Sequence, residues 1–317
     1  MKNSVLFGVI CCALASMSWG AMFPVANGAF QHINPFYFTI IRYLPVTVIL
    51  IFFLLKKEGK KAFRLEGNGI KIWFFGTMAF TIYNIFIFWG QDLLSDDGVV
   101  LASIFEALAP ILSILIVWFV FKKKPFLFTI LCIIGAFVGV VLVVTNGEMS
   151  LLLQAARFIP MIILLLAALG WALYTIGGNQ FSGWSVLRYS TLSCLTGTLT
   201  ALFFVLLFSA FGKIDVPEFK AIWTVKYHML FMITFPGLLA LLSWNKGVQI
   251  LQPINAILFI NLAPVTTLMI RFIQGYQISL YEISGVSIVC LMIILNNLHQ
   301  RYQKRKIHHV RKKELIA

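Results

Sequence analysis

Leu108-Ala109-Pro110 lies within one long apolar segment of the chain, and Leu262-Ala263-Pro264 lies within another, 154 residues later. Two further landmarks recur in the same order at similar offsets: Trp19 as Trp171, and Arg42-Tyr43 as Arg188-Tyr189. Self-similarity at a nearly constant offset is the mark of an internal repeat. The sequence therefore predicts that one structural unit occurs twice in this chain.

The composition of the chain predicts an integral membrane protein. Of its 317 residues, 60% are apolar and 11% are charged, and the mean hydropathy is +0.93. A soluble domain usually has about 45–50% apolar and about 25% charged residues, so this chain has more apolar surface than a fold in water can bury. About 20 consecutive apolar residues cross a bilayer as a helix. The chain has ten such stretches, at about 4–26, 34–55, 71–91, 98–121, 125–145, 157–179, 184–211, 227–248, 252–272 and 278–298.

The distribution of the charges predicts the orientation of these spans. The loops alternate in basicity, and one side collects 18 lysines and arginines, whereas the other collects 5. Cations accumulate on the cytoplasmic side of membrane proteins, so both termini are expected in the cytoplasm of a multi-pass protein of the bacterial inner (plasma) membrane. The net charge of +14 then belongs to cytoplasmic loops and to a basic tail at 299–317 near anionic lipid. Nucleic-acid binding is not expected.

The number of spans predicts how the two copies are related. The first repeat is assigned to 1–150 and the second to 151–298, with five spans each and a junction at about 146–156. Because five is an odd number, the second copy must be inverted relative to the first. We therefore predict an all-α integral membrane fold with ten transmembrane helices in two inverted five-helix repeats. Such repeats are a common basis for alternating access in transporters.

Several short motifs occur in a characteristic order across the ten spans. They are Ser18-Trp19-Gly20, Arg42, the Ala-Pro pairs at 109–110 and 263–264, the segment 243–248, and the glycines Gly135 and Gly285. This order resembles the drug/metabolite transporter superfamily, in its ten-helix EamA type. The resemblance implies secondary transport of small metabolites, often amino acids or related amine-bearing compounds, by export or uptake, and export is the expected direction. Many relatives carry a Gly-Glu pair at the start of spans five and ten. The corresponding segments here, 122–125 and 276–278, do not contain that pair.

Glu106 is the main candidate for substrate binding. It lies about eight residues into the fourth span, roughly 12 Å deep at 1.5 Å per residue, and an intramembrane carboxylate normally faces a cavity or a partner. Ser103, Glu106, Pro110 and Ser113 share one helical face. Glu106 is expected either to bind an amine-bearing substrate or to carry a coupling proton, since burial disfavours a charged carboxylate. The alternative is a structural pairing with an arginine or a neighbouring helix.

Aromatic and amide side chains are expected to complete the substrate pocket. Aromatic faces suit a ring or a cation, and Asn261 lies one place from the repeat equivalent of Glu106, where it is a candidate polar partner. For each of these residues, ordinary helix packing or interhelical hydrogen bonding is the alternative. Besides Glu106, the candidate substrate-binding residues are Trp19, Tyr83, Asn84, Trp171, Tyr174 and Asn261.

Four further residues are assigned to gating or anchoring. Pro110 and Pro264 free backbone carbonyls at matched places in the two repeats, and they are the candidate gating kinks. Arg42 and Arg188 are expected near opposite membrane interfaces, as structural anchors whose side chains extend toward the headgroups.

The chain has no motif that indicates catalysis or metal binding. Its five cysteines fall inside apolar segments without ligand spacing, so no enzyme activity, catalytic residue, metal or cofactor is expected. The leading prediction is a secondary transporter, and the alternative is a multi-span membrane sensor or scaffold protein without transport activity. The expected partners are a small-molecule substrate, the lipid bilayer and, for a coupled transporter, protons. The chain is expected as a monomer or homodimer.

Overall fold

The fold is built from ten long helices, and the computed structural model describes residues 2–122, 124–148, 155–181, 183–251 and 256–314. The apolar stretches form helices because a backbone in lipid must satisfy its hydrogen bonds within the segment. No strand occurs in these ranges, and the predicted all-α membrane fold is confirmed. The helices are α1 Lys2–Phe30, α2 Pro35–Glu58, α3 Gly69–Leu93, α4 Ser95–Ala107 continued by Ala109–Phe121, α5 Leu127–Thr145, α6 Ala155–Gly177, α7 Val186–Ala210, α8 Lys226–Leu251, α9 Leu262–Ile273 after the 3-10 turn Ile257–Asn261, and α10 Leu280–Glu314.

Not all ten helices meet a length test for membrane spans. Seven are long and apolar enough, or eight if the two bent parts of α4 count as one span. α9 and α10 occupy the places of the ninth and tenth predicted spans, but their described apolar parts, Phe259–Ile273 and Leu280–Asn296, are shorter. The predicted start of the ninth span, 252–255, lies outside the described residues, as does most of the predicted repeat junction, at 149–154.

Equivalent helices of the two halves make equivalent packing contacts. α1 packs against α8 and α9, and its counterpart α6 packs against α3 and α4. α2 packs against α7, α4 against α9, and α5 against α10, so each of these pairs joins equivalent helices. A pseudo-twofold relation between two five-helix units produces this pattern, in agreement with the predicted repeats. The repeat boundaries at 150 and 151 stay a prediction.

Both halves interrupt their helices at matched places. α3 widens into a π-helix over Thr77–Tyr83, and α8 does so over Ile233–Leu239, 156 residues later. α4 bends by 42° at Leu108, and the 3-10 turn of α9 ends at the residue before Leu262. The bend has a local cause, because Pro110 has no N–H to donate to the carbonyl of the residue four positions earlier.

α5 and α10 cross at a pair of glycines. A Cβ atom on Gly139 would lie 2.7 Å from the carbonyl oxygen of Gly285, and one on Gly285 would lie 2.5 Å from that of Gly139. The absence of a side chain at both positions therefore lets the two helix backbones approach closely. Gly135 instead faces Met292. The sequence match of Gly135 with Gly285 as repeat equivalents stays a prediction.

α2 and α7 are related by an offset of 151 residues. Their N-cap residues are Asn34 and Ser185, and each side chain accepts a hydrogen bond from the backbone three residues on. Such caps define where a helix begins. Thr47 and Thr198, also 151 residues apart, meet through a 3.2 Å hydrogen bond between their hydroxyls.

This register separates Arg42 from Arg188. At an offset of 151 the counterpart of Arg42 is Ser193, and that of Arg188 is Tyr37. Arg42 therefore lies five residues deeper in its helix than Arg188 does in its own. The recurrence of Arg-Tyr at an offset of 146 is a coincidence of sequence rather than a trace of the repeat.

The loops of the bundle divide between two faces, as alternating spans require. On one face, which we call the acidic face, the first turn of α4 pairs with the first turn of α6 through Asp97–Arg157 at 2.8 Å and with the end of α9 through Asp96–Arg271 at 3.2 Å. On the other, the basic face, Glu66 of the α2–α3 loop pairs with Arg188 near the start of α7 at 2.9 Å. The basic face is the predicted cytoplasmic side, because the lysine-rich α2–α3 loop belongs to it.

Candidate functional site

Glu106 is buried at the bend of α4 and has one specific partner. Its side chain is 1% exposed, and the hydroxyl of Tyr83 donates a 2.8 Å hydrogen bond to Oε1. The second oxygen, Oε2, is buried and accepts no hydrogen bond from the described part of the chain. A buried carboxylate oxygen without a donor costs free energy, so Glu106 has unused acceptor capacity inside the bundle.

Arg42 is also buried in the bundle. Its residue is 1% exposed, its Nη1 donates a 3.3 Å hydrogen bond to Oδ1 of Asn84, and its guanidinium carbon lies 4.7 Å from the ring centre of Tyr43. Its Nε has no hydrogen-bond partner among the described residues. The prediction of an interfacial anchor is therefore wrong for Arg42.

The π-helix of α3 explains how the adjacent residues Tyr83 and Asn84 form hydrogen bonds with Glu106 and Arg42, respectively. Nδ2 of Asn84 donates a 2.7 Å hydrogen bond to the carbonyl of Ala79, inside the widened turn, and this bond directs Oδ1 toward Arg42. Tyr83, the last residue of the π-helix, donates its hydroxyl hydrogen bond to Glu106. Such irregular turns are frequent at functional sites, and this one positions a donor for the carboxylate and an acceptor for the guanidinium.

Aromatic rings pack around Tyr83, the hydrogen-bond partner of Glu106. The ring of Trp171 is their common member, with its centre 5.0 Å from Tyr83, 5.4 Å from Trp19 and 5.3 Å from Tyr174. All four rings are buried. The structure thus brings four predicted site residues together around Trp171, and one of them, Tyr83, contacts Glu106; their role in substrate binding stays a prediction.

Two narrow cavities meet at Trp171. Their volumes are about 10 Å³ and about 20 Å³, and a single water needs about 10–15 Å³. A metabolite therefore enters only if rings or helices move apart. The first cavity is lined by Trp19, Met22, Arg42, Tyr43, Phe80, Tyr83, Trp171, Pro236 and Leu241. The second is lined by Ala109, Pro110, Ser113, Trp171, Thr175, Trp244 and Ile260.

The two candidate gating prolines lie at the helix interruptions. Pro110 begins the second part of α4 and lines the second cavity, while Pro264 is buried near the start of α9. The predicted kink is therefore present at Pro110, and the matched break before α9 precedes Pro264. Whether these breaks act as gates stays a prediction.

Asn261 and the two serines on the Glu106 face do not join the carboxylate. Asn261 is buried, and its backbone carbonyl accepts a 3.8 Å hydrogen bond from the thiol of Cys290. One oxygen of the Glu106 carboxylate accepts a hydrogen bond from Tyr83, and the other accepts none from the described residues. Ser103 and Ser113 bond back to carbonyls of α4 itself. The predicted partnership of Asn261 with Glu106 is absent from this conformation.

Arg42 is the main residue that the sequence reasoning misplaced. The depth count that singles out Glu106 also applies to Arg42, which lies seven residues into α2, or about 10 Å at 1.5 Å per residue. The apparent match with Arg188 hid this depth. Trp244 and Pro236 were also not singled out, although Trp244 packs 5.3 Å from Trp19 and the Pro236 carbonyl accepts a 3.3 Å hydrogen bond from the indole of Trp19.

The arrangement suits binding rather than bond-breaking chemistry. It presents one buried carboxylate and one buried guanidinium, each with a free polar atom, beside aromatic faces that attract cations. Among the described residues, no group of three or more His, Cys, Asp or Glu is placed to hold a metal ion. A small molecule with an ammonium group, a carboxylate, or both matches these features.

Known proteins are similar to this chain over most of its length. The EamA-like transporter family matches residues 6–145 and 158–298. The chain is similar to "Uncharacterized transporter YrdR" of Bacillus subtilis (strain 168), with 48% identity over 308 residues and 96% of each chain covered. It is also similar to "Uncharacterized transporter YyaM" of the same strain, with 25% identity over 284 residues, 88% of this chain and 90% of that one. A solved crystal structure with 17% identity superimposes with a TM-score of 0.63, over 93% of this chain and 96% of its own, which shows a likeness of fold alone.

These matches decide the class of the protein. The family match occurs twice, once in each half of the bundle, and the similar proteins are named as transporters rather than enzymes. The chain is therefore a multi-pass membrane transporter. It belongs to the EamA-like transporter family, in agreement with the drug/metabolite transporter superfamily.

Proposed function

We propose that this protein is a secondary transporter that exports small amine-bearing metabolites, amino acids foremost, across the bacterial plasma membrane by alternating access. The observation that carries the proposal is the free Oε2 of Glu106, at 1% exposure, on a carboxylate that the hydroxyl of Tyr83 holds through Oε1. A buried carboxylate oxygen without a donor is the natural acceptor for a substrate ammonium.

The surrounding groups support a zwitterionic substrate. The faces of Tyr83 and Trp171 attract an ammonium group held near Glu106. Arg42 has a free Nε–H, which complements a substrate carboxylate because guanidinium groups bind carboxylates strongly. With both substrate charges paired, the site takes up a zwitterion without leaving an unpaired charge in the bundle, where such a charge is costly.

The fold supplies a route for exchanging access between the two sides. Equivalent helices meet at α2–α7, α4–α9 and α5–α10, so a rearrangement of one half has a matching rearrangement in the other. The π-helices and the breaks beside Pro110 and Pro264 are places where a helix changes direction without new unpaired backbone in lipid. Secondary transporters commonly rock such halves about a fixed central site.

A flux assay in reconstituted vesicles tests this function. Amino acids, simple amines and sugars are compared, with and without a pH gradient, in the wild type and in Glu106→Gln. Removing one partner of a buried charge pair costs about 3–5 kcal/mol, which is about 140- to 3,700-fold at 1.4 kcal/mol per tenfold. We expect Glu106→Gln to lose amino-acid flux by such a factor, whereas Glu148→Gln, an exposed carboxylate, keeps it.

Three results would change this proposal. Wild-type flux in Glu106→Gln removes Glu106 from substrate binding. If Glu106→Gln keeps amino-acid exchange but loses accumulation driven by the pH gradient, Glu106 carries the coupling proton instead of the amine. Flux of sugars but not of amino acids would refute the substrate class.

A further inference from the structure

Arg188 is partly buried near the basic face, where it pairs with Glu66, whose side chain is 53% exposed. The Arg188 side chain is 11% exposed, and Nη2 lies 2.9 Å from Oε1 of Glu66. The guanidinium carbon lies 4.2 Å from the ring centre of Trp184, and the indole of Trp184 donates a 3.0 Å hydrogen bond to Oε2 of the same glutamate. Arg188 also donates to the backbone carbonyl of Arg64. We call this group the Arg188 latch.

The latch joins the two halves of the protein. Glu66 and Arg64 belong to the α2–α3 loop of the first half, whereas Trp184 and Arg188 belong to the α6–α7 loop and to α7 of the second half. The hydroxyl of Ser185 adds a hydrogen bond across the same boundary, to Glu58 at the end of α2. Any movement that separates the halves at the basic face must break these contacts.

A column of aromatic rings leads from the latch to the central site. The ring centres of Trp184 and Phe181 are 4.9 Å apart, and those of Phe181 and Tyr189 are 5.2 Å apart. Tyr189 stacks on Tyr174 at 5.2 Å with an interplanar angle of 16°, and Tyr174 lies 5.3 Å from Trp171, which lines both central cavities.

We propose that the aromatic column is the passage between the central site and the basic face, and that the Arg188 latch is its gate. The latch uses the chemistry that the central site offers to an ammonium group, namely a carboxylate beside aromatic faces. In the closed gate, Arg188 fills this cation site, and when the gate opens, Glu66 and Trp184 become available to an amine entering from the cytoplasm. This proposal rests on the alternating access proposed above.

Accessibility of a buried cysteine tests the gate without any substrate. Ser193 is fully buried, with its hydroxyl 3.4 Å from that of Tyr174. Ser193→Cys is introduced into a variant whose five native cysteines are replaced by alanine, and a membrane-impermeant maleimide is applied to the cytoplasmic side in inside-out vesicles. We expect Glu66→Gln and Arg188→Gln each to raise the labelling rate about threefold to tenfold, because each removes an ion pair and Arg188→Gln also removes a cation–π contact.

Two controls separate gating from general loosening of the fold. Lys60→Gln removes a charge from the same loop and leaves the latch contacts in place, so its labelling rate should match the parent. A second reporter, Thr267→Cys, lies in α9 and is fully buried against Gly20 of α1. Its labelling should not respond to Glu66→Gln.

Each outcome bears on the gate directly. Faster labelling at Ser193→Cys alone supports it. Unchanged labelling in both latch variants, or an equal rise at Thr267→Cys, overturns it. The proposed function can fail separately. If labelling rises in the latch variants but no amine is transported, the gate is supported and the substrate class is refuted. Unchanged labelling with intact Glu106-dependent flux refutes the gate alone.

Discussion

The hydroxyl of Tyr83 is the single atom whose removal tests the central site most sharply. Tyr83→Phe deletes the donor that lies 2.8 Å from Oε1 of Glu106. It keeps the ring that packs 5.0 Å from Trp171, so the aromatic surface of the site is unchanged. The substitution therefore isolates the orientation of the carboxylate from the shape of the pocket.

The expected loss follows from the strength of this hydrogen bond. A hydrogen bond to a charged group contributes about 1.5–3 kcal/mol, and 1.4 kcal/mol is about tenfold in an equilibrium constant. Without Tyr83, no described residue donates a hydrogen bond to the Glu106 carboxylate, and its position relative to a substrate ammonium is no longer held. We expect transport at low substrate concentration to fall about 10- to 150-fold.

Initial rates of amino-acid flux in reconstituted vesicles measure this effect, with thermal unfolding in detergent as a check on folding. Tyr37→Phe is the matched control, because it deletes a hydroxyl that lies 3.0 Å from Oγ of Ser209, away from the central cavities. The control should transport at the wild-type rate. Wild-type rates in Tyr83→Phe, with transport lost in Glu106→Gln, would refute the view that Tyr83 orients Glu106 for binding.

Two further predictions concern packing and pH. Gly285→Ala places a Cβ atom 2.5 Å from the carbonyl oxygen of Gly139, so we expect the free energy of unfolding to fall by about 1–3 kcal/mol, seen as a lower midpoint of thermal unfolding. Gly183→Ala is the control, because no atom lies within 4 Å of the added Cβ, and its midpoint should be unchanged. An equal shift in both variants would contradict the close crossing. Hydrogen bonds from Arg188 and Trp184 lower the pKa of Glu66 below its ordinary value of 4.5. The ion pair of the latch is therefore fully present above pH 4.5 and is lost as the pH falls through the lowered pKa of Glu66. The ratio of the labelling rate in Glu66→Gln to that in its parent should stay constant from pH 8 to about pH 5 and approach one in stronger acid. A ratio that falls already near neutral pH would contradict the assignment.

The sequence predicted Glu106 as a buried site residue because a carboxylate inside an apolar span must face a cavity or a partner. The same reasoning applied to aromatic residues near it, and Trp19, Tyr83, Trp171 and Tyr174 do lie together. Composition and depth along a helix suffice for such predictions. They do not tell which atoms meet, and the partnership expected for Asn261 is absent for that reason.

Arg42 shows where a pattern in the sequence misleads. The pair Arg42-Tyr43 recurs as Arg188-Tyr189, but the caps of α2 and α7 are 151 residues apart rather than 146. In a helix, one residue of register turns a side chain by about 100°, so a shift of five residues changes both the depth and the direction of an arginine. Arg42 is consequently inside the bundle, while Arg188 closes the basic face.

The sequence by itself determined the membrane environment, the helical class, the ten apolar segments and the doubling of a five-span unit, because each follows from composition and order along the chain. Only the tertiary structure decided the pairs that carry the proposed mechanism: Tyr83 with Glu106, Asn84 with Arg42, and Glu66 with Arg188. The physical reason is that these contacts depend on helix rotation, on the widened turn of α3 and on the packing of one half against the other. None of these quantities is expressed in the spacing of residues along a single helix.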